Sequence, residues 1–273
     1  MSDHAPQYIL CSSPGRSGTL FLSTVLACCN ATLAEHEPAP NITSSYEFAE
    51  TLTTNERAAL IAQKTEAIHN SRSNSSNHQT YCILDHTLLH GSNYQDVIAQ
   101  LKVQTNCTDD DIAVIISRRP AAEIIRSRAL LAHGTSYLKD MVLMYRGPGW
   151  IYTPSSSLYT LPAIDQQLNQ FEILAGYVLS AQKAGNELLS TPSGLRVYEI
   201  NVSDFSSPDP IKKMLRSLTL TFDESRLNEV VANGPVNQRS DEKLEKLEKQ
   251  ETPVPTDIAF YEQIVKEYQS KYT

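Results

Sequence analysis

Near the amino end, in YILCSSPGRSGTLFLSTVL from Tyr8 to Leu26, a small polar loop separates two apolar runs. Gly15 and Gly18 let its backbone turn sharply and come close to a ligand. Successive N–H groups in such a turn form a concave anion site. The helix that follows, opening on Thr19 and Leu20, adds unpaired donors and partial positive charge. Ser17 and Thr19 contribute hydroxyls, and Arg16 contributes a permanent charge on a planar donor fork. Together these residues are expected to hold a phosphate-like group. The pattern is not Gly-x-x-x-x-Gly-Lys-Ser/Thr, because the lysine and the spacing are both missing, which weakens a Mg²⁺-dependent kinase or hydrolase reading. A plain helix cap, with Ser17 or Thr19 as the capping side chain, would explain the same residues without a ligand.

A second group lies in VIISRRPAAEIIRSRALL. Arg118 at a strand end and Ser127 on the following helix can converge on one dianion. Arg119 competes with Arg118 for that role, and Arg126 can replace part of it. Any chemistry that removes a proton needs a base within hydrogen-bond reach of the reacting group. Glu37, in AEHEPAPN, is one candidate, because Pro38 and Pro40 fix the chain around it and His36 can tune it. His86, in ILDHTLLHG, is the other, with Asp85 placed to orient its imidazole. Glu37 is favoured.

The elements that must position these groups follow from hydrophobic periodicity. Tyr8–Ser12, Tyr81–Thr87, Asp111–Arg118 and Gly194–Val202 read as strands. Thr19–Cys28, Ser44–Asn70, Tyr94–Leu101, the segment after Pro120, Asp165–Leu189, Ile211–Leu218 and Asp257–Tyr268 read as helices. Asn70–Thr80 and the Gly/Pro/Ser/Tyr-rich Tyr145–Pro162 read as loops, the second a lid or acceptor wall. Short apolar strands alternating with helices predict a three-layer α/β sandwich, a central parallel sheet flanked by helices. No repeat or linker divides the 273 residues, so one α/β domain is expected, with a charged helical segment over about 240–273.

Apolar residues make up 41% and charged residues 20%, an ordinary globular balance. The formal net charge of −8 disfavours general nucleic-acid binding, though it allows a local basic pocket. No apolar run is long enough to span a bilayer. The N-terminus lacks the basic start and apolar stretch of a signal peptide. The five cysteines are few, odd in number and mostly in apolar surroundings. They read as reduced core thiols in a cytoplasmic compartment, and none has metal-site spacing.

SSPGRSGTLFLSTVL resembles the loop of the P-loop sulfotransferases, which use 3′-phosphoadenosine-5′-phosphosulfate (PAPS). Many members carry Pro-Arg-Ser-Gly-Thr followed by Phe-Leu or Trp-Leu; here Gly15 is inserted before Arg16. The resemblance implies a P-loop nucleotide-binding fold with the 5′-phosphosulfate on Gly15, Arg16, Ser17, Gly18, Thr19 and Leu20. It also implies a 3′-phosphate site after a buried strand, at Arg118 and Ser127. Members usually have Asp or Asn where this chain has Arg119, and Ser127 is spaced correctly only from Arg119. LRVYEINVSDF is similar to the family's Tyr-Glu-Asp-Leu strand, with Ile200 in the place of Asp; the resemblance puts Tyr198 on the adenine, while a surface sheet tyrosine fits as well. Arg239, in NGPVNQRSDE, stands where members close a C-terminal loop over the nucleotide. Glu37 resembles the glutamate base of some bacterial members, and His86 the histidine base of cytosolic ones. The implied reaction is metal-free sulfuryl transfer to a small hydroxylated or amine-bearing acceptor, releasing adenosine 3′,5′-bisphosphate. Alternatives are a P-loop kinase or hydrolase, or a non-catalytic nucleotide-binding protein of the same fold.

Overall fold

The computed structural model describes residues 4–38, 54–74, 79–84, 93–132, 170–190, 194–234 and 255–272. Five parallel strands form one sheet in the order β2-β3-β1-β4-β5. They are β1 Tyr8–Ser12, β2 Thr32–His36, β3 Thr80–Leu84, β4 Ile112–Arg118 and β5 Arg196–Asn201. The helices are α1 Thr19–Leu26, α2 Thr54–Asn74, α3 Asn93–Thr105, α4 Ala121–Ala132, α5 Gln170–Ser190, α6 Pro208–Ser217, α7 Glu224–Asn233 and α8 Ile258–Tyr272.

Strand residues alternate between two apolar layers, as the two-fold side-chain period requires. Tyr8, Leu10, Tyr81, Ile83, Ile112, Val114 and Ile116 pack against α2, α3, α4, α5 and α8. Ile9, Cys11, Cys82, Leu84, Ala113 and Ile115 pack against α1, α6 and α7. Both faces are covered, which is why β1, β3 and β4 read as continuous apolar runs. The sheet is therefore the centre of a three-layer sandwich, as expected from the sequence. The five cysteines are free and buried, and burial pushes the Cys29 thiol up to about 12.

From β1 the chain crosses to the edge strand β2 and returns through β3, then places β4 on the other side of β1. The direction of winding thus reverses at β1. In open α/β sheets the crevice beyond such a reversal, at the strands' carboxyl ends, is where ligands bind. The loop after β1 and the turn after β4 lie side by side there.

Two elements were not expected from the sequence. β2, TLAEH, is an edge strand with only Thr32 buried, so its apolar signal is weak. α7, ESRLNEVVAN, buries only Leu227 and Val231, and Asp223 caps it by accepting from the Arg226 N–H at 3.0 Å. α1 ends at Leu26 rather than Cys28, because the Cys28 and Cys29 N–H groups bond three residues back in a tightened turn. β3 is described only to Leu84, so the rest of the expected strand lies outside the described residues, as do the Tyr145–Pro162 loop and residues 240–254 of the expected C-terminal charged segment. Among the described residues, no helix is long and apolar enough to cross a membrane.

Phe205, in the 3₁₀ turn after β5, stacks on Phe21 with centroids 4.9 Å apart and lies against Gly18. A Cβ on Gly18 would sit 2.3 Å from the Phe205 ring. Gly18→Ala is expected to destabilise the protein by about 1–3 kcal/mol beyond its backbone penalty. Gly18→Ala in a Phe205→Leu background isolates the left-handed backbone penalty, because the ring that the new Cβ would meet is gone. The measurement is the urea midpoint of the single and double variants; an equal loss with and without the ring would contradict the packing argument.

Candidate functional site

The loop Ser13–Gly18 is wound by three positive φ angles, at Gly15 (69°), Arg16 (55°) and Gly18 (77°). Its carbonyls are held from behind by β4 and α4. Arg128 donates from Nη2 to Pro14 O, Arg119 from Nη1 to Arg16 O at 3.0 Å, and the Ser117 hydroxyl to Ser17 O. In a trans peptide the N–H points opposite to the C=O. Anchoring these carbonyls therefore turns the Gly15, Ser17 and Gly18 N–H groups toward the other side of the loop. The Gly15 N–H is shared with Ser13 Oγ at 3.1 Å.

Gly18 is the N-cap of α1, and no side chain caps the helix. The first helical bond runs from the Leu22 N–H to Gly18 O at 2.9 Å, so the Thr19, Leu20 and Phe21 N–H groups precede the intrahelical ladder. This removes the plain side-chain cap as an explanation of the loop. It also changes two expected roles. Ser17 is fully buried and donates back to Gly15 O at 3.3 Å, and the Thr19 hydroxyl meets His36 Nε2 at 3.0 Å. Both hydroxyls are turned inward, which leaves main-chain N–H groups and Arg16 as the donors the loop can offer a ligand.

Arg16 donates from Nε to Ser127 Oγ at 3.1 Å. The structure thus brings together the first loop and the helix-borne serine of the second group. Arg118 does not join them. Its fork is filled by Glu199 Oε2 (2.8 Å), Gln182 O (3.0 Å) and Asn186 Oδ1 (2.6 Å), bracing β4 against β5 and α5. Tyr198 lies on the opposite face of the sheet, packed toward α1 and α6. Burial, and then the Asp204 carboxylate, push its phenol up. Arg119 divides its fork between Arg16 O and Glu123 Oε2 at 2.9 Å. Arg126 has its Nε buried without a hydrogen-bond partner among the described residues.

The end of β2 reaches the same edge. His36 Nε2 stands between Thr19 Oγ1 (3.0 Å) and Glu37 Oε1 (3.8 Å). Glu37 has φ 48°, a left-handed conformation on a residue that precedes proline. Such backbone strain costs on the order of 1–3 kcal/mol per residue and gathers at functional sites. The Glu37 N–H reaches Leu84 O at 3.4 Å, and Lys64 Nζ donates to Pro38 O. His86, Asp85 and Arg239 lie outside the described residues.

Sequence reasoning gave Arg119 only a ligand role and missed Ser117, Arg128 and the bridging position of His36. Arg128 carried a usable signal. Spaced three and four residues from Ile125 and Ile124, it faces the core, and a core-facing arginine requires a fixed acceptor.

No family model matches the chain, and no curated protein does. Among solved structures, the chain is similar to the sulfotransferase domain from the curacin biosynthetic pathway, at 12% identity over 100% of this chain and 99% of that one, with a TM-score of 0.47. It is also similar to the sulfotransferase domain from the Synechococcus PCC 7002 olefin synthase, at 14% identity over 98% of this chain and 97% of that one, again with a TM-score of 0.47.

Proposed function

We propose that the protein transfers a sulfuryl group from PAPS to a hydroxyl or amine of a small-molecule acceptor. The observation that carries this reading is the loop after β1, whose carbonyls are tied to Arg128, Arg119 and Ser117 so that its N–H groups and Arg16 face the crevice. The chemistry of the cradle fits a phosphosulfate, since it offers amide donors, a helix N-terminus and a guanidinium in a chain of net charge −8. The bound donor would supply the activated sulfuryl group.

The residues then divide the work as follows. The loop amides and the first turn of α1 bind and orient the 5′-phosphate end. Arg16, held by Ser127, stabilises negative charge developing at the leaving phosphate; being permanently protonated, it acts electrostatically and not as an acid. Ser127 and a neighbouring arginine, with Arg239 as a further candidate, receive the 3′-phosphate. Arg118 can serve there only by releasing Glu199. Tyr198 offers an apolar ring for the adenine. Glu37 takes the acceptor's proton, and His36 fixes its carboxylate relative to Thr19. His86 remains the rival base.

Ligand-induced thermal shift tests the donor assignment. A ligand present at a hundredfold excess over its Kd stabilises the native state by about 2.7 kcal/mol. For a chain of this size that is a rise of roughly 5–10 °C. Adenosine 3′,5′-bisphosphate without Mg²⁺ is expected to give such a rise, and ATP with Mg²⁺ little; the reverse ranking would favour a nucleotide kinase or hydrolase.

Two variants test the cradle. Arg16→Ala should abolish label transfer from PAPS, and full activity would contradict its role. Arg128→Met should weaken adenosine 3′,5′-bisphosphate binding at least about tenfold, since Pro14 O is then released from its anchor. An unchanged Kd, by calorimetry, would show that the tie does not orient the loop.

A further inference from the structure

Lys64 is fully buried on α2, one turn before the core residue Ile68 on the same face. Helical spacing would put an apolar side chain there. A buried ammonium is retained at a cost unless its donors are satisfied. Lys64 Nζ donates to Pro38 O, the carbonyl immediately after Glu37. Glu37 is the strained residue of that corner, with its amide on Leu84 O and its carboxylate beside His36. His36 in turn reaches Thr19 at the start of α1. A chain of contacts therefore runs from inside the α2 layer, through the Glu37–Pro38 corner, to the anion loop.

The geometry points to Lys64 as a positioning residue that locks the Glu37–Pro38 corner and aims the Glu37 carboxylate at the acceptor side of the anion loop. The assignment of proton acceptance to Glu37 rests on the sulfuryl-transfer reading; the lock itself does not. A tether on the carbonyl of residue 38 opposes the relaxation of φ at residue 37 toward the extended region that a pre-proline residue prefers. As a positioning residue, Lys64 acts on transfer through Glu37.

The test uses the full chain and the variants Lys64→Met, Lys64→Arg, Glu37→Gln and the Lys64→Met/Glu37→Gln double. Methionine matches the lysine stem in length and carries no charge to bury, and arginine restores a donor. In Lys64→Met, amide hydrogen exchange at Glu37 is expected to accelerate at least about tenfold while amides of β1 and β4 keep their protection. Lys64→Arg should recover part of that protection. With labelled PAPS and a pool of hydroxyl- and amine-bearing metabolites, Lys64→Met should lower kcat by about a hundredfold, the scale of a misplaced catalytic group. KM for PAPS should stay within about twofold, and the double variant should be no slower than Glu37→Gln alone.

Unchanged exchange at Glu37, or loss of protection spread evenly across the sheet, overturns the lock. A double variant slower than Glu37→Gln by the full Lys64→Met factor overturns the route through Glu37. If the wild-type chain shows no thermal shift with adenosine 3′,5′-bisphosphate, the donor reading fails and takes the role of Glu37 with it, while the exchange data still decide the lock.

Discussion

The site depends on where the carbonyls of residues 14, 16 and 17 point. A loop of this length carries main-chain acceptors as well as donors, and left alone it would show a mixture of both to the crevice. Arg128, Arg119 and Ser117 take the acceptors on one side. The planarity of the peptide then commits the N–H groups to the other. Arginine suits this work because its charge is permanent and its donors are fixed in a plane.

The sheet supplies the frame for this arrangement. Because the winding reverses at β1, the turn after β4 lies next to the loop after β1, and α4 can reach behind it. On the other flank, β2 and β3 bring His36 and Glu37 to the opposite lip of the crevice. The ties behind the loop and the His36–Glu37 corner thus come from opposite sides of the central strand. Phe205 closes the α1 side against Gly18, so the loop is held by polar contacts on one flank and by aromatic packing on another.

Much of this was legible in the chain. The central strands announced themselves because residues buried on both faces form unbroken apolar runs, and the loop announced itself through Gly15, Arg16 and Gly18. Edge strand β2 was not legible, because among the described residues it has a strand on one side alone and four of its five residues are only partly buried, so they have no reason to be strongly apolar. The placement of Arg118 was not legible either. One register position separates a side chain that faces α5 from one that faces α1, and sequence alone did not say that Glu199 and Asn186 would meet it. Nor did it reveal that Ser17 and Thr19 turn inward, since their partners, Gly15 O and His36, are fixed only once the loop is wound and β2 is in place.

The ties behind the loop join partners far apart along the chain: Ser17 and Ser117 by 100 positions, Arg16 and Arg119 by 103, Pro14 and Arg128 by 114. A nascent chain leaving the ribosome exposes Ser13–Gly18 long before the residues that shape it exist. Until α4 has emerged and docked, that segment is merely a turn after a strand, with its amides uncommitted. The loop's shape is therefore acquired late, in a single event, and a fragment truncated ahead of β4 would carry the whole recognisable motif and none of the ties that set it.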